Sequence, residues 1–260
     1  MSVSNTVSRL LLPALLLSAS AASAQTPTTY RLGLRAGLNR ANVTLQGPER
    51  SVYPTYTTEQ HKSALLGGQL GVVLEAARGP LALQTGLLFS QKGTVIHGFL
   101  STPSPDRPQY NLYRDGRTQA RYHWLELPLN VVYSPGRSGL QLFAGPYVAV
   151  GVGGKAATVI HNSSDDPNQL VVPTTRFTDK IEYGPGEPDN GTISIRGYYS
   201  RRFDAGFNAG IGYRRGPVQV QLGYGLGLVN LYQLEGTEQP SIQGGYNRGA
   251  QLTGTYFFGQ

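Results

Sequence analysis

The connections between the amphipathic segments of this chain alternate strictly between short and long, and this constrains its fold more than any other feature. Eight segments alternate apolar and polar residues with period two: residues 30–42, 64–76, 81–91, 122–134, 140–153, 199–213, 218–228 and 248–258. That period belongs to strands with one apolar and one polar face. In the first, Leu32, Leu34, Ala36 and Leu38 oppose Arg31, Gly33, Arg35 and Gly37; in the fourth, Leu125, Leu127 and Leu129 oppose Glu126, Pro128 and Asn130. After the second, fourth and sixth segments the chain turns within residues 77–80, 134–139 and 214–217, all rich in Gly and Pro. After the first, third, fifth and seventh it spends residues 43–63, 93–121, 154–198 and 229–247, which are polar. A two-layered sandwich gives no reason for such alternation.

The lengths point to a membrane. An apolar band of about 25 Å, crossed at a tilt near 40° with a rise of about 3.3 Å per residue, needs roughly ten residues. Ordinary globular strands have a mode of about 5–6. Short turns on one side and long loops on the other are the pattern of an outer-membrane barrel with its N-terminus in the periplasm. The fold expected is therefore all-β: an antiparallel up-and-down transmembrane β-barrel of eight strands. Ten are possible if residues 154–198 hold a further spanning hairpin, since 156–160, 175–181 and 192–195 have β character of their own.

The N-terminus agrees with export. Arg9 precedes the apolar run Leu10–Leu17, and a small-residue stretch ends in Ala22-Ser23-Ala24. This is the order of a cleavable secretory signal, too short and too interrupted by Pro13 to span a bilayer. Residues 1–24 are expected to be removed, with residues 25–260 a single outer-membrane β-barrel domain. The chain has no cysteine, which excludes disulfides and thiolate chemistry. Its net charge of +7 is compatible with anionic surfaces but names no partner.

The apolar face is expected to meet hydrocarbon, where charges near the midplane cost about 2–4 kcal/mol each. Tyr30, Tyr133, Tyr213 and Phe258 fall near the periplasmic ends, where an aromatic girdle belongs. The inward face then carries Arg31, Arg35 and Arg202 with Glu75, Glu126 and Asp204. Buried charges must be paired, and an eight-stranded barrel has room inside only for side chains. These six residues are expected to form a structural polar network filling the lumen, with Arg31 pairing Glu75.

No cofactor or metal is expected. His61, His97, His123 and His161 fall in the long connections or at strand tops without ligand spacing. Ser90, His123 and Glu126 are residue types that a hydrolase at the barrel rim could use, though nothing in their spacing marks a catalytic set. Gly151-Val152-Gly153-Gly154 lacks the Lys-Ser/Thr of a phosphate loop. Arg201-Arg202 and Arg214-Arg215 are candidates for lipid phosphates, and no nucleic-acid motif accompanies them. The alternative to a membrane barrel is a soluble exported lipocalin-like carrier, with the faces inverted so that the apolar side lines a ligand cavity.

Several motifs, in order, extend this reading: residues 33–39 (GLRAGLN), 90–93 (SQKG), 125–129 (LELPL), 203–206 (FDAG), 210–212 (GIG), 224–230 (YGLGLVN) and 256–258 (YFF). Across nearly all of residues 25–260 the chain resembles the PorT-like outer-membrane β-barrel family of Gram-negative bacteria. The resemblance implies an eight-stranded barrel without a shared enzymatic activity. The founding member's link to protein secretion is not carried over. The implied partners are outer-membrane lipids and the barrel assembly machinery, with a monomeric barrel and an unidentified extracellular ligand for the long loops.

Overall fold

In a computed structural model the described residues are 27–45, 50–53, 56–171, 173–184, 198–231 and 245–258. They form eleven strands and no helix: β1 (Thr29–Leu45), β2 (Arg50–Tyr53), β3 (Tyr56–Arg78), β4 (Leu81–Pro103), β5 (Asn111–Tyr133), β6 (Leu140–Ser164), β7 (Thr174–Tyr183), β8 (Tyr198–Ser200), β9 (Phe203–Arg215), β10 (Val218–Gly227) and β11 (Gly245–Phe258). Eight of them close a barrel in the order β1-β3-β4-β5-β6-β9-β10-β11, every neighbouring pair antiparallel. The seam joins β11 back to β1, with Leu32 opposite Phe258 and Leu45 opposite Gly245.

The sidedness follows the alternation. Leu127 is 49% exposed and Leu222 51%, whereas Glu126 retains 5% and Gln221 3%. The outer wall is thus leucine, valine and aromatic rings, and the inner wall is Gln, Asn, Thr, Gly and paired charges. Such an exterior is tolerable only in hydrocarbon, because a soluble protein rarely exposes more than a few hundred Å² of contiguous apolar area. The lipocalin-like inversion would need the leucines inside; among the described residues no apolar ligand cavity replaces the polar interior.

Two of the short turns share one chemistry. Arg78 pairs with Leu81 around Gly79-Pro80, and Arg215 pairs with Val218 around Gly216-Pro217. The glycines take φ of 59° and 58°, as the first central position of a type II′ hairpin turn requires. Proline then supplies the negative φ that follows.

At the other end the strands do not stop where the loops were expected. β3, β4 and β5 each run 23 residues and β6 runs 25, more than twice what a crossing needs. Most of residues 93–121 is a continuous hairpin, with Gly93 opposite Arg121 and Pro103 opposite Asn111. The upper halves of β3–β6 form an open sheet rising from one side of the barrel, widened by β2 on β3 and by β7 on β6. Register shifts between Ala64 and Gln69 and between His123 and Trp124 lie where closed wall becomes open sheet. A bulge bends a strand and resets which residues face outward. On β6 the outward residues are Val148, Val150 and Val152 below the shift, then Lys155 and Ala157 above it.

Among the described residues, the β-rich part of 154–198 adds no spanning pair. Residues 156–160 continue β6 and 175–181 lie in β7, while 192–195 fall outside the described residues. One edge of β6 carries β9 along Leu140–Val150 and β7 along Lys155–His161, so the two strands share that edge at different heights.

Candidate functional site

The interior is built in layers. Nearest the short turns, Glu75 is almost fully buried and accepts from Arg31 Nη1 at 2.8 Å and from Arg214 Nη1 at 2.6 Å through Oε1. Gln84 Nε2 donates to Glu75 Oε2 at 2.8 Å, and Arg214 also lies over the Phe257 ring, 4.5 Å from its centroid. Arg35, 5% exposed, donates to Thr255 Oγ1 at 2.8 Å and Gln84 Oε1 at 3.2 Å. Gln219 links this group to the opposite wall through Gln141 Oε1 at 2.6 Å. Every strand contributing here does so from the polar side of its alternation.

The next layer is centred on Glu126 and Asp204. Lys92 Nζ lies 2.5 Å from Glu126 Oε1 and 4.7 Å from the centroid of the Tyr147 ring. Tyr147 Oη donates to Asp204 Oδ2 at 3.1 Å, as does Asn247 Nδ2 at 2.8 Å. Asn39 donates to Ser90 Oγ at 2.8 Å. Small voids of about 20 and 10 Å³ lie between these side chains. The smaller is lined by Gln69, Asn130 and Gln221, whose Oε1, Oδ1 and Nε2 atoms have no hydrogen-bond partner in the protein. Voids of this size with converging polar atoms suit single ordered waters.

Above lies an apolar cap. Trp124, fully buried, packs with Tyr122, Tyr147, Val43, Ala120, Ala149, Ala156, Ile181 and Leu231. The Tyr183 ring meets Trp124 edge-on at 6.0 Å, and its hydroxyl donates to Gly153 O at 2.8 Å. Ile181 and Tyr183 come from the end of β7, which turns into the barrel mouth. Backbone bonds from Gly184 to Ser200, Arg201 to Leu231 and Leu231 to Gly245 tie the ends of β7, β8 and β11 to one another.

Of the six expected lumen residues, Arg31, Arg35 and Glu75 meet in the first layer, and Glu126 and Asp204 belong to the second. Arg202 does not join them. It sits on a bend ahead of β9 and is exposed, because the alternation counted backwards from Asp204 stops at Phe203. Two interior cations were missed. Lys92 follows buried Ser90 by two residues and Arg214 follows Gly212 by two, so parity alone marks both as inward. Arg214 thus serves Glu75 rather than lipid.

The rim-hydrolase arrangement does not form. Ser90 and Glu126 face inward, while His123 faces outward beside Phe89, with ring centroids 5.5 Å apart. His61 and His97 are direct cross-strand partners above the barrel. Among the described residues no three His, Asp or Glu side chains gather as metal ligands.

A family model described as "Outer membrane protein beta-barrel domain" matches residues 23–233. The chain belongs to the outer membrane protein beta-barrel domain family. Its place is accordingly the outer membrane, and the exposed leucine wall is the surface that meets lipid. No curated protein matches this barrel. Among solved structures it is similar to Ail, the attachment invasion locus protein of Yersinia pestis, crystallised in complex with the heparin analogue sucrose octasulfate. That likeness has 8% identity over 88% of this chain and 99% of Ail, with a TM-score of 0.34. It is also similar to Neisserial surface protein A, with 10% identity over 86% of this chain and 96% of that one, and a TM-score of 0.28. Neither likeness bears on ligand or role.

Proposed function

We propose that this non-enzymatic outer-membrane barrel works through the sheet it raises above the membrane, as a surface-recognition element on a plugged, structural base. In this reading residues 1–24 are the removed signal and residues 25–260 the single mature domain. The observation that carries it is the length of β3–β6: some 23–25 residues each, where a crossing uses fewer than half. Binding usually resides on segments displayed by a rigid scaffold, and here the scaffold extends into the display itself. The PorT-like resemblance supports the same eight-stranded base. The lumen set, now the five residues Arg31, Arg35, Glu75, Glu126 and Asp204, reads as structural, with Arg202 outside it. Barrel assembly machinery is the natural partner during insertion, and the finished barrel is taken as a monomer.

The absence of cysteine makes the test clean. An Asp106→Cys variant should react with a membrane-impermeant maleimide on intact cells, and an Arg137→Cys variant only after the envelope is opened. Labelling in the reverse order overturns the display reading. Mass spectrometry of the purified barrel should give a chain beginning at Gln25; retention of residues 1–24 would refute the processing.

A further inference from the structure

On the outer face of the wall, just above the apolar band, three cations stand in one cross-strand row. Arg121 of β5 is opposite Lys155 of β6, and Lys155 is opposite Lys180 of β7. Like charges directly opposed across strands are destabilising, so the row is unfavourable unless an anion is supplied. None of the ion pairs among the described residues includes any of the three. Four residues further up, Arg117 and Arg176 are both exposed, flanking Val159 in a second row. The row between, Gln119, Ala157 and Thr178, is uncharged. Asp179 faces the other side, in register with fully buried Ala156. Two exposed carboxylates stand near these five cations, Glu182 on β7 and Asp115 on β5, the latter two residues above Arg117 and six from Arg121.

The height of this ledge is informative. Arg121 lies four residues above Leu125, the last outward leucine of β5; at about 3.3 Å per residue and a tilt near 40° that is about 10 Å. The side bearing long connections faces outward from the cell. On the proposed orientation, that height puts the ledge beside the headgroup layer that borders the hydrocarbon. We propose that Arg121, Lys155 and Lys180 form a docking site for the phosphate groups of an anionic outer-leaflet lipid. Guanidinium and ammonium groups are the donors that phosphate oxygens accept from most strongly. Solvation of isolated interfacial cations alone gives no reason to set three in register.

The test uses the full mature barrel in phosphatidylcholine nanodiscs containing either a bisphosphorylated glycolipid or its dephosphorylated counterpart. Native mass spectrometry counts retained lipid. The wild type should retain the phosphorylated lipid, and the triple variant Arg121→Gln/Lys155→Gln/Lys180→Gln should bind it about a hundredfold more weakly. A matched variant at the short-turn end, Arg78→Gln/Arg137→Gln/Arg215→Gln, should keep wild-type retention. Heat-modifiable migration in phosphatidylcholine alone verifies that each variant is folded. Equal loss from both triple variants, or equal retention of the dephosphorylated lipid, overturns the site. These outcomes do not depend on which way the barrel faces in the cell, so they are separable from the labelling experiment.

Discussion

Glu75 organises the lower interior because three strands send donors to one carboxylate that has almost no access to water. Removing it strands Arg31 and Arg214 together. Breaking a buried pair from one side costs about 3–5 kcal/mol, and both arginines keep partial exposure at the mouth, so Glu75→Leu should sit near the lower end. Arg31→Gln should cost less, since Arg214 still neutralises the carboxylate. Denaturant unfolding of vesicle-inserted protein checks the order, and equal losses would refute it. Trp124 offers a second test, being the only tryptophan in the chain. Its emission should be blue-shifted and shielded from acrylamide. Tyr183→Ala should expose it, since that ring covers one edge of the indole. Trp124→Ala should destabilise the protein by about 3–5 kcal/mol, the cost of a large cavity.

The strands behave as two elements joined end to end. Below the register shifts they are closed wall, and above them they are open sheet, held by cross-strand pairing and by contacts such as Thr118 with Thr158 at 2.9 Å. The upper part should be removable without loss of the barrel. Gly98 and Gly116 are register partners, so excising residues 99–115 and joining the ends with Asn-Gly leaves the pairing below in phase. The shortened protein should still show heat-modifiable migration. Failure to insert would mean that the sheet is part of the folding unit. At the opposite end, Gly216→Ala forces a Cβ into φ of +58° and should cost about 1–2 kcal/mol, read in the same unfolding assay.

As a whole the molecule has the reverse of a soluble protein's arrangement, apolar outside and polar within. The hydrophobic effect holds it in the bilayer, while hydrogen-bonded and paired polar groups fill the space between its walls. Among the described residues, the layers of side chains and the aromatic cap enclose voids of about 20 and 10 Å³, each the size of a water molecule or less. Purified protein in planar bilayers should therefore show no stable large conductance. Sustained open-channel currents would contradict a filled lumen.

The sidedness of each spanning strand, the two Gly-Pro turns and the eight-stranded closure were legible in the residues. Period-two alternation and the glycine requirement at positive φ are local rules, and a bilayer enforces the first on every strand. Lys92 and Arg214 obey the same parity and needed only its extension by one step. The limits of the strands were not legible, because polar β-structure above a membrane lacks the apolar face that betrays a strand below it. Nor could local pattern place Arg202, which follows a bend, or separate His123 from Ser90 and Glu126 by side of the wall. The cation row of Arg121, Lys155 and Lys180 joins residues up to 59 positions apart. Cross-strand register alone brings them together, and register across non-local pairs is a property of the assembled sheet rather than of any one segment.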